Sequence, residues 1–463
     1  MTVLSVHSSA KPTNRSKLRS VSTLGAAAGL SALAVALLAG CGSDDEEPTN
    51  DGGRAGQTAN GGRSGGGAGG RSAAGSGGTA GSSTGGSSGD AAAGASTDGG
   101  AMGGETIDPA DYEGEEVFRH DTFGSEQYWT DTLRLNEAIQ AALTPTMALE
   151  LGLKVDADAL PEGTLETADL EDPATTVALI KLGAVVGIKG EVDAANNLMR
   201  IGVTCALCHS DVDDSVMDGI GSRMDGHANR DLDSGAIIAL SPGLADDEEA
   251  LAALSAWGPG FYDARWNQDG ISDPVAIPPI YGLQDVPLAT YTGDGPISYW
   301  NQYVAVTQMG GQGVFYDSRI DVAVLQTPDL VTPKLPALFD YQMGLEVPEI
   351  DVSDLNAASV TRGRTLFNGV AQCSTCHSGP ALTDAANTLH APEETGMEPL
   401  HAERSATGMY RTTPLRALAQ HAPYFHDGSA ETLADVVTHY NTVLSLGLTT
   451  TQRADLAVYL QSL

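Results

Sequence analysis

Cysteines, aromatic residues and basic residues are all scarce in this chain of 463 residues. It has 5 cysteines, aromatic side chains make up 5% of the sequence, and 24 lysines and arginines stand against 60 aspartates and glutamates, for a net charge of −36. So large an acidic excess argues against a nucleic-acid partner. It is more typical of a solvated surface, although it could also attract a basic protein partner.

Four of the five cysteines belong to two copies of the motif C-x-x-C-H. The first copy runs from Cys205 to His209 and the second from Cys373 to His377. Two thiols at this spacing can each form a thioether to one porphyrin edge, and the adjacent histidine then reaches the iron. We therefore expect two covalently attached c-type haems, with His209 and His377 as the proximal iron ligands.

Two alternatives compete with haem attachment. A thioredoxin-like redox pair needs only C-x-x-C, so it does not explain the histidine that follows each pair. A zinc site built from both pairs would need them close together, yet they stand much further apart than the roughly 15 to 20 residues of a zinc ribbon. The histidines and the separation therefore favour haem.

The N-terminal residues have the pattern of an export signal. Basic residues between Lys11 and Arg19 precede an apolar run from Val21 to Leu38, which ends before Cys41. The small residues in front of that cysteine resemble a bacterial lipobox. Residues 1–40 are thus predicted to be a lipoprotein signal peptide and Cys41 a lipidation site, the alternative being an ordinary signal peptide. Because all five cysteines then have a role, we expect no disulfide.

The remainder of the chain divides into a tether and a folded part. Residues 41–106 are dominated by glycine, serine and alanine, which predicts a flexible, disordered tether. The folded part is long enough for two domains with separate cores. We predict a mainly α-helical fold with two cytochrome c-like haem domains in tandem, at residues 107–350 and 351–463. The chain would then be lipid-anchored in the bacterial cell envelope, in the periplasm or at the outer-membrane surface.

Helical patterns flank the second haem motif. The spacing within residues 355–367 resembles the first helix of small c-type cytochromes, which implies that Gly363 permits close approach of a last helix. Thr449 with Gln452 forms a possible capping box for that last helix. We expect the glycine to pack against Tyr459 of that last helix, and Phe367 to join the same contact. In the N-terminal half, residues 128–151 and 175–182 also show helical patterns.

Three stretches in the C-terminal part carry a family resemblance. They are Tyr410 to Arg416, which reads YRTTPLR, Ala422 to Ser429, which reads APYFHDGS, and Thr432 to Asn441, which reads TLADVVTHYN. In this order they resemble the bacterial di-haem cytochrome c peroxidase and MauG superfamily, most strongly over residues 354–463. In the N-terminal half the resemblance depends on the haem motif alone.

The resemblance implies a sixth ligand for the iron held by His377. Tyr440 lies on the apolar face of a predicted helix, at the position where relatives place a methionine or tyrosine ligand. The alternatives are that it is a packed core aromatic and that Met409 takes the position. Arg411 and Arg416 are candidates to bind the haem propionates, or else form surface salt bridges.

Ligands at the first haem are less certain. His227 is the only histidine between the two motifs and follows His209 at about the distance of a removable distal ligand in relatives; a loop histidine is the alternative. Asn229, Asp231 and Asp233 resemble part of a calcium loop, but the characteristic glycine and closing glutamate are missing. These residues thus match a calcium-binding loop only in part.

Acid/base and relay residues are the hardest to identify. Relatives are expected to use a glutamate near the open haem, yet residues 281–345 contain none. Asp294 and Asp317 could replace it, and Trp300, with Tyr291 and Tyr299, could relay electrons, although such aromatics are more often core residues. Trp300 and Asp294 are thus weak candidates for catalytic roles.

Two function classes follow from these residues. The first is a redox enzyme that activates peroxide or dioxygen at the first haem and relays electrons through the second. The second is a non-catalytic electron-transfer cytochrome with both haems six-coordinate. The expected partners are a small redox protein as electron donor or acceptor, a peroxide, dioxygen or unidentified substrate, and a membrane through the lipid anchor.

Overall fold

The computed structural model describes residues 112–463. The signal peptide, Cys41 and the tether lie outside the described residues, so the predictions made for them are not tested. Among residues 112–463, no helix combines the length and the apolar character required to cross a membrane.

Helices provide most of the regular structure. The α-helices are Gly114–His120, Leu135–Ala142, Pro145–Glu150, Thr164–Thr167, Pro173–Lys181, Ala206–His209, Ser234–Ala239, Glu248–Ser255, Trp266–Asp269, Ile297–Tyr303, Leu335–Gly344, Ala357–Phe367, Pro392–Thr395, Leu400–Glu403, Leu433–Val443 and Thr450–Leu460. Two π-helices, Gln127–Thr132 and Val304–Gln308, and five 3-10 turns, Ala157–Ala159, Pro242–Leu244, Thr332–Lys334, Cys373–Thr375 and Leu418–Gln420, complete the helical elements described. The prediction of a mainly helical fold is confirmed.

The strands are short and form two-stranded pairs. Val155–Asp156 pairs in parallel with Ile220–Gly221. The antiparallel pairs are Ile188–Val192 with Leu198–Val203, Ser210–Val212 with Arg223–Asp225, Phe261–Tyr262 with Val275–Ala276, and Val314–Asp317 with Val322–Leu325. Pairs this small are stable only when packed against other elements. Of these strands, Ser210–Val212 directly follows the first C-x-x-C-H motif.

Buried apolar side chains form two separate hydrophobic clusters. The first cluster is drawn from residues 117–338, and Cys205 and Cys208 pack against it. The second is drawn from residues 367–460, and Cys373 packs against it. Each C-x-x-C-H motif therefore lies beside its own cluster, which separates the two cysteine pairs and counts against a zinc site shared between them.

The helices predicted around the second motif are present. Thr449 caps the helix Thr450–Leu460 through a capping box with Gln452. A Cβ atom added to Gly363 would lie 2.2 Å from the Asp455 carbonyl oxygen and 2.5 Å from Tyr459 Cβ, and the Phe367 and Tyr459 rings are 5.4 Å apart. The predicted packing of Gly363 and Phe367 on the last helix is confirmed.

We expect Gly363→Ala to destabilise the fold by about 1 to 3 kcal/mol, because the added methyl group overpacks a backbone contact between two helices. Gly344→Ala is the matched control, since a Cβ atom there meets nothing within 4 Å. Denaturant unfolding of both variants measures the difference. Equal midpoints would contradict the close packing at Gly363.

In the N-terminal half the predicted helices are shorter than expected. The pattern at residues 128–151 is divided among Gln127–Thr132, Leu135–Ala142 and Pro145–Glu150. Arg134 interrupts it with a φ of 59°, and Pro145 begins the last segment. The pattern at 175–182 corresponds to the helix Pro173–Lys181. The existence of these helices was predictable, but the breaks depend on tertiary contacts.

Backbone hydrogen bonds join the segments of the two clusters. Ala276 N–H donates to the His426 carbonyl over 2.7 Å, and Arg411 N–H donates to the Tyr291 carbonyl over 2.9 Å. Arg404, buried in the C-terminal part, binds Asp263 over 3.1 Å and Asp269 over 2.8 Å. Residues 404–426 of the C-terminal part are therefore bound to residues 263–291 by hydrogen bonds and ion pairs.

Candidate functional site

Both motif histidines have one ring nitrogen fixed by a backbone carbonyl. His209 Nδ1 lies 3.1 Å from the Pro278 carbonyl oxygen, and His377 Nδ1 lies 3.1 Å from that of Leu382. A carbonyl oxygen only accepts, so Nδ1 carries the proton and Nε2 keeps its lone pair. Burial lowers the pKa of His209 to about 4 and also lowers that of His377. Neutral imidazoles held in this tautomer suit iron ligation.

The motif cysteines are free thiols in the described residues. Burial raises the pKa of Cys205 and Cys208 to about 12 and that of Cys373 to about 11. Neutral thiols are poor nucleophiles, which counts against a redox thiol pair. The four thiols and two histidines have the donor set that two c-type haems require.

Tyr440 lies beside the second motif. It is on the helix Leu433–Val443, whose start is fixed by a capping box between Thr432 and Asp435. Burial raises the pKa of Tyr440 to about 12, and the thiol groups of Cys376 and Cys373 add to the shift. Its ring contacts Phe425 at 5.9 Å. The structure thus places the Tyr440 phenol near the thiols of the second motif.

The two weaker ligand candidates have different surroundings. Met409 is 39% exposed, and its neighbours in the chain form a tight turn around the Thr407 hydroxyl. His227 packs its ring on Tyr281 at 5.2 Å, while the preceding Gly226 N–H donates to the His209 carbonyl over 2.8 Å. His227 is thus held next to the first motif, whereas Met409 faces the surface.

Unpaired guanidinium atoms fit acidic propionates. Arg411 is bonded through Nε to the Thr290 carbonyl, but its buried Nη1 has no protein partner, and neither do Nε and Nη1 of Arg230. Burial lowers the pKa of Arg411 to about 10. Arg416 uses Nη1 to bind the carbonyls of Gly282 and Gln284. Arg230 was not among the residues predicted from the sequence. It lies near Tyr291, whose carbonyl accepts from the Arg411 N–H, and only the fold brings these residues together.

A second polar group adjoins Cys376. Ligand atoms of Cys376, Asp384 and His390 lie within 4.8 Å of one another. Both nitrogens of His390 are already engaged, Nε2 by Asp384 and Nδ1 by Glu394, each at 3.2 Å. With both nitrogens occupied, His390 serves as a bridge between carboxylates at the edge of the second motif.

A neutral hydrogen-bond network lies beside the first motif. Tyr262 O–H donates to Gln308 Oε1 over 3.1 Å, and Gln308 Nε2 donates to Asn267 Oδ1 over 3.1 Å. Burial raises the pKa of Tyr262, and Cys208 contributes next. The contact between Tyr262 and Gln308 could not be predicted from the sequence, because the two residues belong to no common motif. Gln308 ends a π-helix, an element that often marks a functional site.

The candidate catalytic residues are held in structural contacts. Both oxygens of Asp294 are engaged: Arg265 Nη2 donates over 2.5 Å, Thr292 over 2.9 Å and the Ala406 N–H over 2.8 Å. Trp300 packs against Tyr299 and Tyr303, at 5.9 and 5.5 Å. These contacts leave Asp294 little capacity to exchange protons with a substrate.

Other candidates also have protein partners. Asp317 accepts from Tyr299 over 2.8 Å and pairs with Arg319, and Tyr291 donates to the Ala276 carbonyl over 2.9 Å. In the possible calcium loop, Asn229 donates to the Gly152 carbonyl, Asp231 pairs with Lys154 and Asp233 caps a helix. The three side chains of that loop thus have separate protein partners.

Comparisons with known proteins find similarity to a curated peroxidase and to several solved structures. The cytochrome-c peroxidase IdrP1 of Denitromonas iodatirespirans is 28% identical over 152 residues, covering 23% of this chain and 40% of the relative. The match thus spans less than half the length of that protein. No family model matches.

The solved structures are distant. Hydrazine synthase of Kuenenia stuttgartiensis has a TM-score of 0.31 and 19% identity, covering 45% of this chain and 78% of the other. A MauG-like protein associated with microbial copper homeostasis has a TM-score of 0.30 and 19% identity, covering 42% and 75%. Scores this low add nothing to the argument about the fold. The sequence match confirms the resemblance to cytochrome c peroxidases.

Proposed function

We propose that this member of the bacterial di-haem cytochrome c peroxidase and MauG superfamily is a di-haem redox enzyme, with peroxide or dioxygen activated at the first haem and electrons relayed by the second. The carrying observation is a difference between two half-buried tyrosines. Tyr262, beside Cys208, donates its hydroxyl proton to Gln308, whereas Tyr440, beside Cys376, has no hydrogen-bond partner in the described residues. The first site offers polar groups to a substrate, and the second offers a ligand to iron.

The residues around the two haem motifs each have a definable task in this reaction. Haem supplies the redox chemistry, since its iron cycles between oxidation states. His209 and His377 present Nε2 because Pro278 and Leu382 hold their Nδ1 protons. Gln308 holds the Tyr262 hydroxyl before peroxide binds. In the proposed reaction that hydroxyl turns from Gln308 to the bound peroxide and becomes its proton donor, where relatives are expected to use glutamate. Arg411 and Arg230 bind propionates.

We assign the protein to the cell envelope and to a small redox partner. The predicted export signal and lipidation at Cys41 imply a membrane anchor, and the peroxidase relative is consistent with this compartment. The acidic excess favours a partner with a basic surface, which would be drawn to this chain by long-range attraction.

A non-catalytic electron carrier is the second candidate. It is favoured by the absence of glutamate from residues 281–345 and by the position of His227 next to the first motif. In a carrier, His227 would bind the first iron and leave no site for peroxide.

Optical and electron paramagnetic resonance spectra of the purified holoprotein test these alternatives. The enzyme predicts one high-spin ferric haem and one low-spin haem, and a change in the high-spin bands on addition of hydrogen peroxide. The carrier predicts two low-spin haems that stay low-spin when one of them is reduced and that do not react with peroxide. That result would reject the enzyme.

We expect Tyr262→Phe to slow the reaction of the first haem with hydrogen peroxide by about 100-fold, the lower bound for loss of a positioned proton donor. The ring and its packing are kept, so haem content should not change. Tyr303→Phe is the control, because this buried phenol donates to the Ala264 carbonyl. Stopped-flow absorbance gives both rates. A Tyr262→Phe rate equal to that of Tyr303→Phe would remove Tyr262 from the proton step.

A further inference from the structure

A hydrogen-bonded tyrosine and histidine connect the two motif regions. The Tyr281 hydroxyl lies 2.9 Å from His421 Nε2, and Tyr281 is only 6% exposed. Tyr281 comes from the segment that packs on the first motif, and His421 from the segment that packs on the second cluster. Neither residue belongs to a motif that the sequence singles out.

Tyr281 is linked to the first motif by a short series of contacts. The Ile280 N–H donates to the Gly226 carbonyl over 2.9 Å, and the Gly226 N–H donates to the His209 carbonyl over 2.8 Å. The Tyr281 ring also contacts the His227 ring at 5.2 Å. Two backbone hydrogen bonds thus connect Ile280, the residue before Tyr281, to the first proximal histidine through Gly226.

His421 is linked to the second cluster in a similar way. Its N–H donates to the carbonyl of Leu418 over 3.1 Å, and Leu418 belongs to the second cluster, against which Cys373 packs. Arg230 Nη2 donates to the His421 carbonyl over 3.1 Å. Since the Asn229 N–H donates to the Cys208 carbonyl over 3.0 Å, the segment carrying Arg230 also starts at the first motif.

The geometry of the pair suits the movement of a proton along its hydrogen bond. The Tyr281 oxygen and His421 Nε2 are 2.9 Å apart, and the two rings are 5.9 Å apart. A second pair, Tyr410 with His426, differs because the Tyr410 hydroxyl donates to the Glu398 carbonyl over 2.6 Å.

We propose that Tyr281 and His421 form a proton-coupled electron relay between the first and the second haem site. Once a peroxide has oxidised the first site, Tyr281 gives it one electron and passes its hydroxyl proton to His421 Nε2. The resulting phenoxyl radical takes one electron from the second site and recovers its proton from His421. The pair returns to its starting state, with one electron moved from the second site to the first. This relay rests on the proposed function.

The test uses the holoprotein with its second haem reduced, mixed with hydrogen peroxide. In Tyr281→Phe, oxidation of the second haem should slow at least about tenfold, equivalent to 1.36 kcal/mol in the barrier, while the first haem reacts with peroxide at the native rate. Freeze-quenched resonance spectra should show a tyrosyl radical that this variant lacks. Tyr281→Trp, which restores an oxidisable ring, should recover part of the rate, and Tyr410→Phe should change neither quantity.

His421→Leu is a second variant that keeps the phenol and removes the proton acceptor, and it should slow the transfer as well. Native transfer rates in Tyr281→Phe and His421→Leu, with a normal peroxide reaction at the first haem, would overturn the relay and leave the proposed function standing. A first haem that does not react with peroxide in the unsubstituted protein would overturn both.

Discussion

Tyr440→Phe is expected to change the spectrum of the second haem, because the proposed function makes Tyr440 its sixth ligand and the variant leaves a different ligand or none. A phenolate stabilises ferric iron, so its loss should also raise the reduction potential by on the order of 0.1 V, well within the about 0.8 V that axial ligands span. The Phe ring keeps the packing on Phe425, and the proximal ligand His377 is untouched. Redox titration with optical detection measures both effects.

Two further variants separate the ligand role from packing. Tyr424→Phe removes another phenol of the C-terminal part, one that donates to the Leu418 carbonyl over 2.8 Å, and should leave spectrum and potential unchanged. Met409→Leu should be equally silent. If Met409→Leu shifts the low-spin spectrum and Tyr440→Phe does not, the methionine is the ligand and Tyr440 is a core residue.

Arg404→Met is expected to destabilise the protein by about 3 kcal/mol, the low end for breaking a buried ion pair. The Arg404 and Asp263 side chains are 4% and 2% exposed, so Asp263 would be left charged and enclosed. The cost stays at the low end because the N–H groups of Arg265 and Trp266 still bind Asp263, over 2.9 and 3.1 Å. Denaturant unfolding measures the loss.

The exposed pair Arg134 and Glu137 provides the control, because Arg134→Met should cost at most about 1 kcal/mol at a solvent-screened site. Acid should weaken the Arg404 cluster in a defined direction. Burial is the largest single effect and opposes ionisation of Asp269. The hydrogen bonds from Arg404 and the Ile271 N–H, with the charges of Arg404 and Arg265, together outweigh it and lower the pKa of Asp269. Its contribution is therefore present at neutral pH and is lost as the carboxylate protonates in acid. An Arg404→Met variant with native stability and native acid sensitivity would contradict this account.

The features that the sequence predicted depend on local patterns. C-x-x-C-H, the capping box at Thr449 and the glycine at 363 each involve residues within one helix or turn, or a repeat that sets which face of a helix is buried. Such patterns indicate which atoms must meet before any fold is known. The helical class of the fold and the contact of Gly363 with Tyr459 followed from them.

The residues that the sequence missed come from distant segments. Tyr262 meets Gln308, and Tyr281 meets His421, only because loops without regular structure pack between the two clusters. No periodicity specifies such loops, since their paths are fixed by long-range contacts. A signal was nevertheless available: the missing glutamate implied that some other polar side chain had to serve the first haem.

Two aromatic candidates for a relay, Trp300 and Tyr299, belong to one packed group of rings. Trp300, Tyr299, Tyr303 and Phe315 contact one another at 5.1 to 5.9 Å, apart from a 6.5 Å stack between Tyr299 and Tyr303. Arg265 lies over the Trp300 ring at 5.7 Å. An aromatic group packed this way stabilises a core. Tyr281 differs from Trp300 because it is hydrogen-bonded to a histidine, and we therefore propose the relay at Tyr281.

Three contacts between distant segments limit how the second haem site can be studied. Arg404 pairs with Asp263, the Arg411 N–H binds the Tyr291 carbonyl, and the His426 carbonyl accepts from the Ala276 N–H. A fragment of residues 351–463 would lose the carbonyl that receives the Arg411 N–H and would expose the Arg404 guanidinium to water. Its haem potential and ligand spectrum would then describe a differently solvated centre. Spectroscopic dissection of the two haems should therefore rely on ligand substitutions within the intact polypeptide.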